Sequence, residues 1–237
     1  MGKIYSRAIN PEQYDLLDTN WGYKNSDSPF RRYLYHYLKK YKTSWKNANV
    51  LEIGCGSGWL LNLIQKEGAR EVGGIEPSKN NFELIKKNFS GLRVHQIRLE
   101  DFKSKEKFDV IISVLVFNHI KDLNKVFKKI NILLTKGGEL HIIVPDYDYY
   151  RLSKFDYQID IEEINEDEYA VQVNRRDGII ADVVRNIEVY KKKASKTGLV
   201  FVEDMKLYPT KELLEKVPKY RLFKKICREH LLKFKKL

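Results

Sequence analysis

With 237 residues, 43% of them apolar, the chain can bury one substantial core but not two large independent ones. Its 12% aromatic content excludes a disordered chain, which lacks the bulky side chains that close a core. The net charge of +12 comes from 44 Lys and Arg against 32 Asp and Glu and is uneven: residues 216–237 hold nine basic side chains and a single acidic one, Glu229.

Residues 1–27 form an arm dense in aromatics, with Tyr5, Tyr14, Trp21 and Tyr23. Ser28-Pro29 then starts a helix, because the hydroxyl caps free N–H groups and proline's missing donor costs nothing in the first turn. This helix is expected to run to about Lys46. Asn49 to Gly54 reads as a strand, Trp59 to Lys66 as a helix closed by Gly68, and Glu71 to Glu76 as a second strand. Pro77 to Phe89 is helical, Leu92 to Ile97 a strand, and Phe108 to Val114 the most apolar strand of the set. A helix over Lys121 to Leu134 puts Leu123, Val126, Phe127, Ile130 and Leu134 three or four residues apart, on one face. Lys136-Gly-Gly138 stops it, and Glu139 to Val144 is the fifth strand, ended by Pro145.

After Pro145 the alternation breaks off. Residues 146–180 carry Tyr147, Tyr149, Tyr150 and Tyr157, an acidic block over 160–168 and then Asn174-Arg-Arg-Asp-Gly178, and they read as an inserted cap. Residues 181–197 return to a helix and Leu199 to Tyr208 to a strand. The tail stays open between two forms: Leu222, Phe223, Ile226 and Cys227 suit a helix, while His230 to Lys236 suits a short strand. Strands alternating with helices predict an α/β fold whose mostly parallel sheet carries helices on both faces, with 28–145 as the ligand-binding core and 181–237 completing it.

Cys55 and Cys227 lie far apart and make neither a disulfide framework nor a metal-ligand spacing, so a reduced, cytoplasmic setting is expected. The stretch MGKIYSRAINPEQYD has no apolar run behind its charges and does not read as a signal peptide. No segment approaches the roughly 18 to 20 consecutive apolar residues of a membrane span.

The most informative segment is Val50-Leu-Glu-Ile-Gly-Cys-Gly-Ser-Gly-Trp59, between the first strand and the next helix. Glycines at 54, 56 and 58 let the backbone turn sharply and allow a ligand to lie against bare main chain. A dinucleotide fingerprint needs glycine at position 59, where Trp59 stands, and a phosphate-cradling loop needs a Gly-Lys-Ser/Thr ending that is absent. Glu52 at the strand's carboxyl end repels a pyrophosphate and attracts a cationic amine. Glu76 closes the second strand 22 residues beyond Gly54, where a carboxylate can accept hydrogen bonds from both hydroxyls of an adenosine ribose.

These features, with Phe108-Asp-Val-Ile-Ile-Ser-Val114, Asn118-His-Ile120 and the Leu133-Leu-Thr-Lys-Gly-Gly138 turn, resemble the class I S-adenosylmethionine-dependent methyltransferases, most closely the small-molecule branch of type 11 and 12 enzymes. The likeness covers 28–145 well and 181–208 loosely. It implies a Rossmann-like doubly wound sheet of seven strands with the donor lying across the carboxyl ends of the first strands. It sets Glu52 and the Gly54-Cys55-Gly56 turn near the donor's methionine portion and Glu76 at its ribose. Leu99 and Glu100 match the adenine stretch, and Val114 and Leu115 the strand end whose backbone meets the donor's amino group. A final antiparallel strand is also implied, for which His230 to Lys236 is the candidate. S-adenosylmethionine is the expected cofactor, with S-adenosylhomocysteine as product, and no divalent cation is expected because no Asp/Asn cluster has a metal spacing.

Methyl transfer from a sulfonium is an in-line displacement that needs alignment and removal of a proton from the acceptor. His119, after the fourth strand, is the candidate base, the alternative being that it only packs at the start of the following helix. Tyr14, Tyr23, Tyr147 and Tyr150 are candidate acceptor contacts, with Asp146 beside them, and the arm and the cap are expected to close over the pocket. Base methylation of nucleic acid is disfavoured because Val116-Phe-Asn-His119 stands where Asn/Asp-Pro-Pro-Tyr/Phe is usual. The expected activity is O- or N-methylation of a small molecule. The rival readings are an RNA methyltransferase that uses the basic tail, which could also meet an anionic membrane surface, or a donor-binding module without turnover.

Overall fold

The computed structural model describes residues 2–17, 27–152, 158–175 and 178–237. Its centre is a seven-stranded sheet in the order β3-β2-β1-β4-β5-β10-β9, where β1 is Asn49–Ile53, β2 Glu71–Ile75, β3 Arg93–His95, β4 Phe108–Val114, β5 Leu134–Pro145, β9 Leu199–Leu207 and β10 Glu229–Lys236. The strands β3, β2, β1, β4 and β5 pair in parallel, and β10 runs antiparallel to both β5 and β9. Strands buried on both faces read as unbroken apolar runs, as in Val50-Leu51 and Val110-Ile-Ile112.

Alternate residues feed two cores. Ile111, Leu140 and Phe234 face α6 (Leu123–Leu133) and α7 (Ile187–Ser195), meeting Val126, Phe127, Ile130 and Tyr190. Val50, Val110 and Ile112 face α2 (Pro29–Leu38), α3 (Lys42–Trp45) and α4 (Trp59–Lys66), meeting Tyr33, Leu38, Trp45, Leu61 and Ile64. The helix that begins at Ser28, whose side chain accepts from Arg31 N–H, stops at Leu38 and gives way to a 3-10 turn over Lys39–Tyr41 before α3. The remaining helix on the sheet is α5, Lys79–Asn88, capped by Ser78.

Two expectations are corrected in this region. β5 begins at Leu134 rather than Glu139, and the diglycine lies inside it: Phe108 pairs with Leu134 but Val110 pairs with Glu139, so residues 135–138 bulge out. Gly137 takes φ +76, and a Cβ on Gly138 would press on the Thr135 carbonyl at 3.0 Å, which favours glycine at the last two positions of this bulge. Residues 181–185 are strand rather than helix. They end β8 (Gly178–Arg185), which with β6 (Ile159–Asn165) and β7 (Glu168–Arg175) makes a separate antiparallel sheet in the order β6-β7-β8. Asn186 then caps α7 by accepting from Glu188 N–H. In β8, Ala181 and Val183 pack beneath Ala8 of α1 (Lys3–Ala8), while Ile180 and Asp182 turn to the opposite face.

Of the two forms left open by its sequence the tail takes the strand, and the helical alternative shrinks to a 3-10 turn that ends at Phe223. A short helix α8, Lys211–Lys216, and a 3-10 turn over Pro218–Phe223 precede β10, whose Leu231, Leu232 and Phe234 are fully buried. The charge stripe is therefore partly folded inward: Arg228 is buried, Lys233 pairs with Glu139 at 2.8 Å, and Lys236 donates to the carbonyls of Asn131 and Leu134. Among the described residues no helix is long and apolar enough to cross a membrane.

Two ion pairs of one histidine clip the start of β10 to its neighbours. His230 binds Asp204 through Nδ1 at 2.7 Å and Asp146 through Nε2 at 2.9 Å. Burial works against its charge, but the two carboxylates outweigh burial and push its pKa up to about 11. An unfolded imidazole titrates near 6.5, so this stabilisation is complete below about pH 6.5 and is lost as pH rises through about 11. Thermal unfolding is expected to show a Tm gap between the wild type and His230→Ala that narrows steadily from pH 7 to pH 10; a gap independent of pH contradicts the assignment.

Candidate active site

Beyond Ile53 the chain turns through Gly54, Gly56 and Gly58, with φ of +67, +55 and +78. Gly54 is constrained twice, because a Cβ there would also run into the Val116 side chain. The N–H groups of Gly54 and Cys55 both donate to the Ile75 carbonyl, at 2.8 and 3.2 Å, which ties the turn to the end of β2. That tie brings Glu76 under the turn. Its carboxylate accepts the N–H of Gly56 at 2.7 Å and of Ser78 at 3.0 Å. Burial raises its pKa, against the pull of those donors.

Glu52 is 3% exposed, and its Oε2 makes no hydrogen bond. Burial holds its carboxyl well above the usual range; Arg31 opposes that shift and Glu76 reinforces it. Arg31, whose own pKa burial draws down, lies on α2 with Nη2 3.6 Å from where a Cβ on Gly56 would stand. A buried carboxylate oxygen without a donor costs about 1–3 kcal/mol. A ligand carrying an ammonium and a carboxylate on one carbon meets both Glu52 and Arg31, and the glycines leave room for it against the main chain. The residues present therefore fit the methionine end of S-adenosylmethionine.

Arg31, Glu52, Gly54, Cys55, Gly56 and Glu76 all line one cavity of about 250 Å³. Its wall over the sheet is the end of β4, where Leu115 takes φ +55, a left-handed conformation costing a non-glycine residue about 1–2 kcal/mol. The Leu115 N–H is held by the Ile143 carbonyl at 2.9 Å. Strain of this kind persists where the surrounding strands fix the chain.

His119 lies on the 3-10 turn after β4 and lines the cavity. Its Nδ1 stands 3.0 Å from the Ala8 carbonyl, which can only accept, so that nitrogen carries the proton. Nε2 then accepts from the Tyr14 hydroxyl at 2.8 Å and from Asn118 Nδ2 at 3.0 Å. Asn118 also donates to Asp182 Oδ1 at 2.7 Å, and this carboxylate lies 3.5 Å from His119 Nε2. Tyr14 and Asp182 belong to the arm and to β8, and both line the cavity. Gln13 joins those two segments, accepting the Ala181 N–H at 2.8 Å and donating to the Ala181 carbonyl at 3.2 Å.

Of the residues singled out from the sequence, Glu52, Gly54, Cys55, Gly56, Glu76, Val114, His119, Tyr14 and Tyr150 line this cavity. Leu99 does not: its apolar side chain is buried in the core with Phe102, and Glu100 beside it is half-buried on a turn outside the lining. Tyr147 turns away and donates to the Glu166 carbonyl at 2.7 Å on the exposed side of the small sheet. Asp146 is taken up by His230. Tyr23 and Trp21 lie outside the described residues. Sequence reasoning passed over Arg31, Asp182 and Arg228. Arg31 was findable, because Leu34, Tyr35 and Leu38 repeat at helical spacing on its face and line the same cavity, leaving one cation in an apolar stripe. Among the described residues, the metal-type group Asp146, Cys227 and His230 lies close together, but both nitrogens of His230 are already engaged by carboxylates.

The profile of a family described as methyltransferase domain matches residues 26–176. A ubiquinone biosynthesis O-methyltransferase of Pelagibacter ubique is 37% identical over 101 residues, 41% of this chain and 42% of that protein. A tRNA U34 carboxymethyltransferase of Vibrio vulnificus is 34% identical over 130 residues, 52% of this chain and 38% of that protein. The chain thus spans about two fifths of the length of these curated relatives. A crystal structure of an S-adenosylmethionine-dependent methyltransferase from Mesorhizobium loti superposes with a TM-score of 0.67 at 14% identity, covering 86% of this chain and 98% of that one; the likeness is one of fold.

Proposed function

Since the chain belongs to the methyltransferase-domain family, we propose that it transfers a methyl group from S-adenosylmethionine to an oxygen or nitrogen of a small acceptor. The observation that carries this reading is the bare Oε2 of Glu52, buried beside a glycine turn and faced by Arg31. Glu52 takes the donor's ammonium, Arg31 its carboxylate and Glu76 its ribose hydroxyls. The donor, when bound, supplies an electrophilic methyl, so the protein's own task is to align the acceptor and remove its proton.

Tyr14 and His119 are suited to that task as a relay. The Tyr14 oxygen takes the acceptor's proton while its own hydroxyl proton passes along the 2.8 Å hydrogen bond to His119 Nε2. The Ala8 carbonyl keeps the imidazole in the tautomer that can receive it, and Asp182 stabilises the cation that forms. The arm and the small sheet, joined through Gln13, keep water from the transferring methyl.

An RNA acceptor is the competing reading, favoured by the net charge of +12 and by relatives named as tRNA enzymes. Against it, Lys233 and Lys236 are spent inside the fold. Calorimetry with S-adenosylhomocysteine is expected to give saturable binding, weakened by about 1–3 kcal/mol in Glu76→Ala. Unchanged affinity in that variant removes the ribose assignment. A labelled RNA hairpin is expected not to bind; binding that falls steeply with salt turns the assignment towards RNA.

Turnover with an identified acceptor is expected to fall by about 10²–10⁴-fold in both Tyr14→Phe and His119→Ala, with no further loss in the double variant, because the two groups act as one relay. Losses that multiply in the double variant contradict the relay.

A further inference from the structure

Arg228 lines the same cavity from the entrance to β10. In the sheet order that strand stands three places from β1, about 14 Å at the usual strand spacing of about 4.8 Å, so Arg228 is set well apart from Glu52 and the glycine turn. Its guanidinium is packed against three rings, 4.4 Å from the centroid of Phe30, 4.7 Å from Tyr220 and 5.1 Å from Tyr149. It is 7% exposed. Such a cation is rarely buried without full pairing.

The pairing here is incomplete. Nε donates to Glu229 Oε1 at 2.7 Å, while the other oxygen of Glu229 is taken by the Tyr33 hydroxyl at 2.7 Å. A guanidinium kept only to fasten the tail would set two parallel N–H groups on both carboxylate oxygens. Instead Nη1 is buried with no hydrogen-bond partner among the described residues. Glu229 and the tyrosines around it hold Arg228 in its charged form in spite of burial, so the cation persists beside the cavity. Phe30 and Tyr149 line the cavity beside it, so the space next to the cation is apolar and aromatic.

We propose that Arg228 binds an anionic group of the methyl acceptor, a carboxylate or a phosphate attached to a flat apolar body. The anion on Nη1 fixes which end of the acceptor reaches the Tyr14–His119 pair, so Arg228 selects both the acceptor and the atom methylated. This rests on the methyltransferase reading above.

The test is calorimetry on the full chain saturated with S-adenosylhomocysteine, at one ionic strength, with three probes of similar shape: benzoate, phenyl phosphate and neutral benzyl alcohol. At least one anion is expected to bind about tenfold or more tightly than the alcohol. The stronger of the two anions distinguishes a carboxylate from a phosphate acceptor. Arg228→Gln is expected to erase the preference while holding S-adenosylhomocysteine within about twofold of the wild type, which also shows that the variant is folded. Equal binding of anion and alcohol, binding of neither anion at millimolar concentration, or a preference that survives Arg228→Gln overturns the proposal. If Arg228→Gln does not fold, Glu229→Gln replaces it; loss of the competing carboxylate is expected to tighten anion binding severalfold, and unchanged or weaker binding overturns the proposal. A wild type that fails to bind S-adenosylhomocysteine counts against the methyltransferase reading itself, whereas donor-product binding without anion preference counts against the role of Arg228 alone.

Discussion

The site depends on a carboxylate that the fold buries and leaves half satisfied. Glu52 stands on β1, between β2 and β4, with Gly74 and Ile112 as its register partners, so it cannot swing out to water without breaking the centre of the sheet. Gly74 matters to that packing: a Cβ there would meet Leu61 at 2.6 Å and the Cys55 sulfur at 2.8 Å. Its absence lets α4 and the glycine turn close down on the sheet. Burial favours the protonated form of Glu52, whereas a cation beside it favours the carboxylate. On the proposed reading, recognition of a charged ligand and ionisation of this residue are one event.

The second constraint is the cover. The arm and the small sheet are unlike in sequence, yet Gln13, 2% exposed, pairs with the backbone of Ala181 as a strand would, and Ala8 packs on Ala181 and Val183. Asp15, from the same arm, accepts from Ser78 and from the N–H of Asn80 at the start of α5, next to Glu76. The cover is thus latched on one side next to Glu76 and on the other to His119, whose tautomer the Ala8 carbonyl sets. Tyr14 and the carbonyl that orients His119 both belong to the arm, so a displaced arm carries away both.

Much of the sheet could be read in the sequence because buried parallel strands announce themselves as short apolar runs. The limits of α4 and β4 coincide with the sequence reading for that reason. The glycine turn with its two acidic residues was equally plain, since spacing and residue type there follow from backbone geometry. Misreadings arose where one residue type serves two purposes. The diglycine before Glu139 looked like a helix stop but forms a bulge inside β5. The run Ile-Ala-Asp-Val-Val of 180–184 suits either period, and pairing with β7 decided it. Leu99 was placed by resemblance for a backbone contact, which its buried side chain neither makes nor forbids. Arg228 was hidden within a charged tail, and only the approach of Phe30, Tyr149 and Tyr220 from distant segments distinguishes it from its neighbours.

The central claim is that Glu52 is the group that recognises the donor's ammonium. It is tested most directly by calorimetric titration of S-adenosylhomocysteine between pH 5 and pH 9 in buffers of different ionisation heat. Because burial raises the carboxyl of the free protein and an ammonium lowers it in the complex, binding should release a proton at the acidic end. Affinity should rise with pH and then level off, and Glu52→Gln should bind more weakly with neither proton release nor pH dependence attributable to this residue. Binding of equal strength in Glu52→Gln, with the proton release intact, contradicts the account.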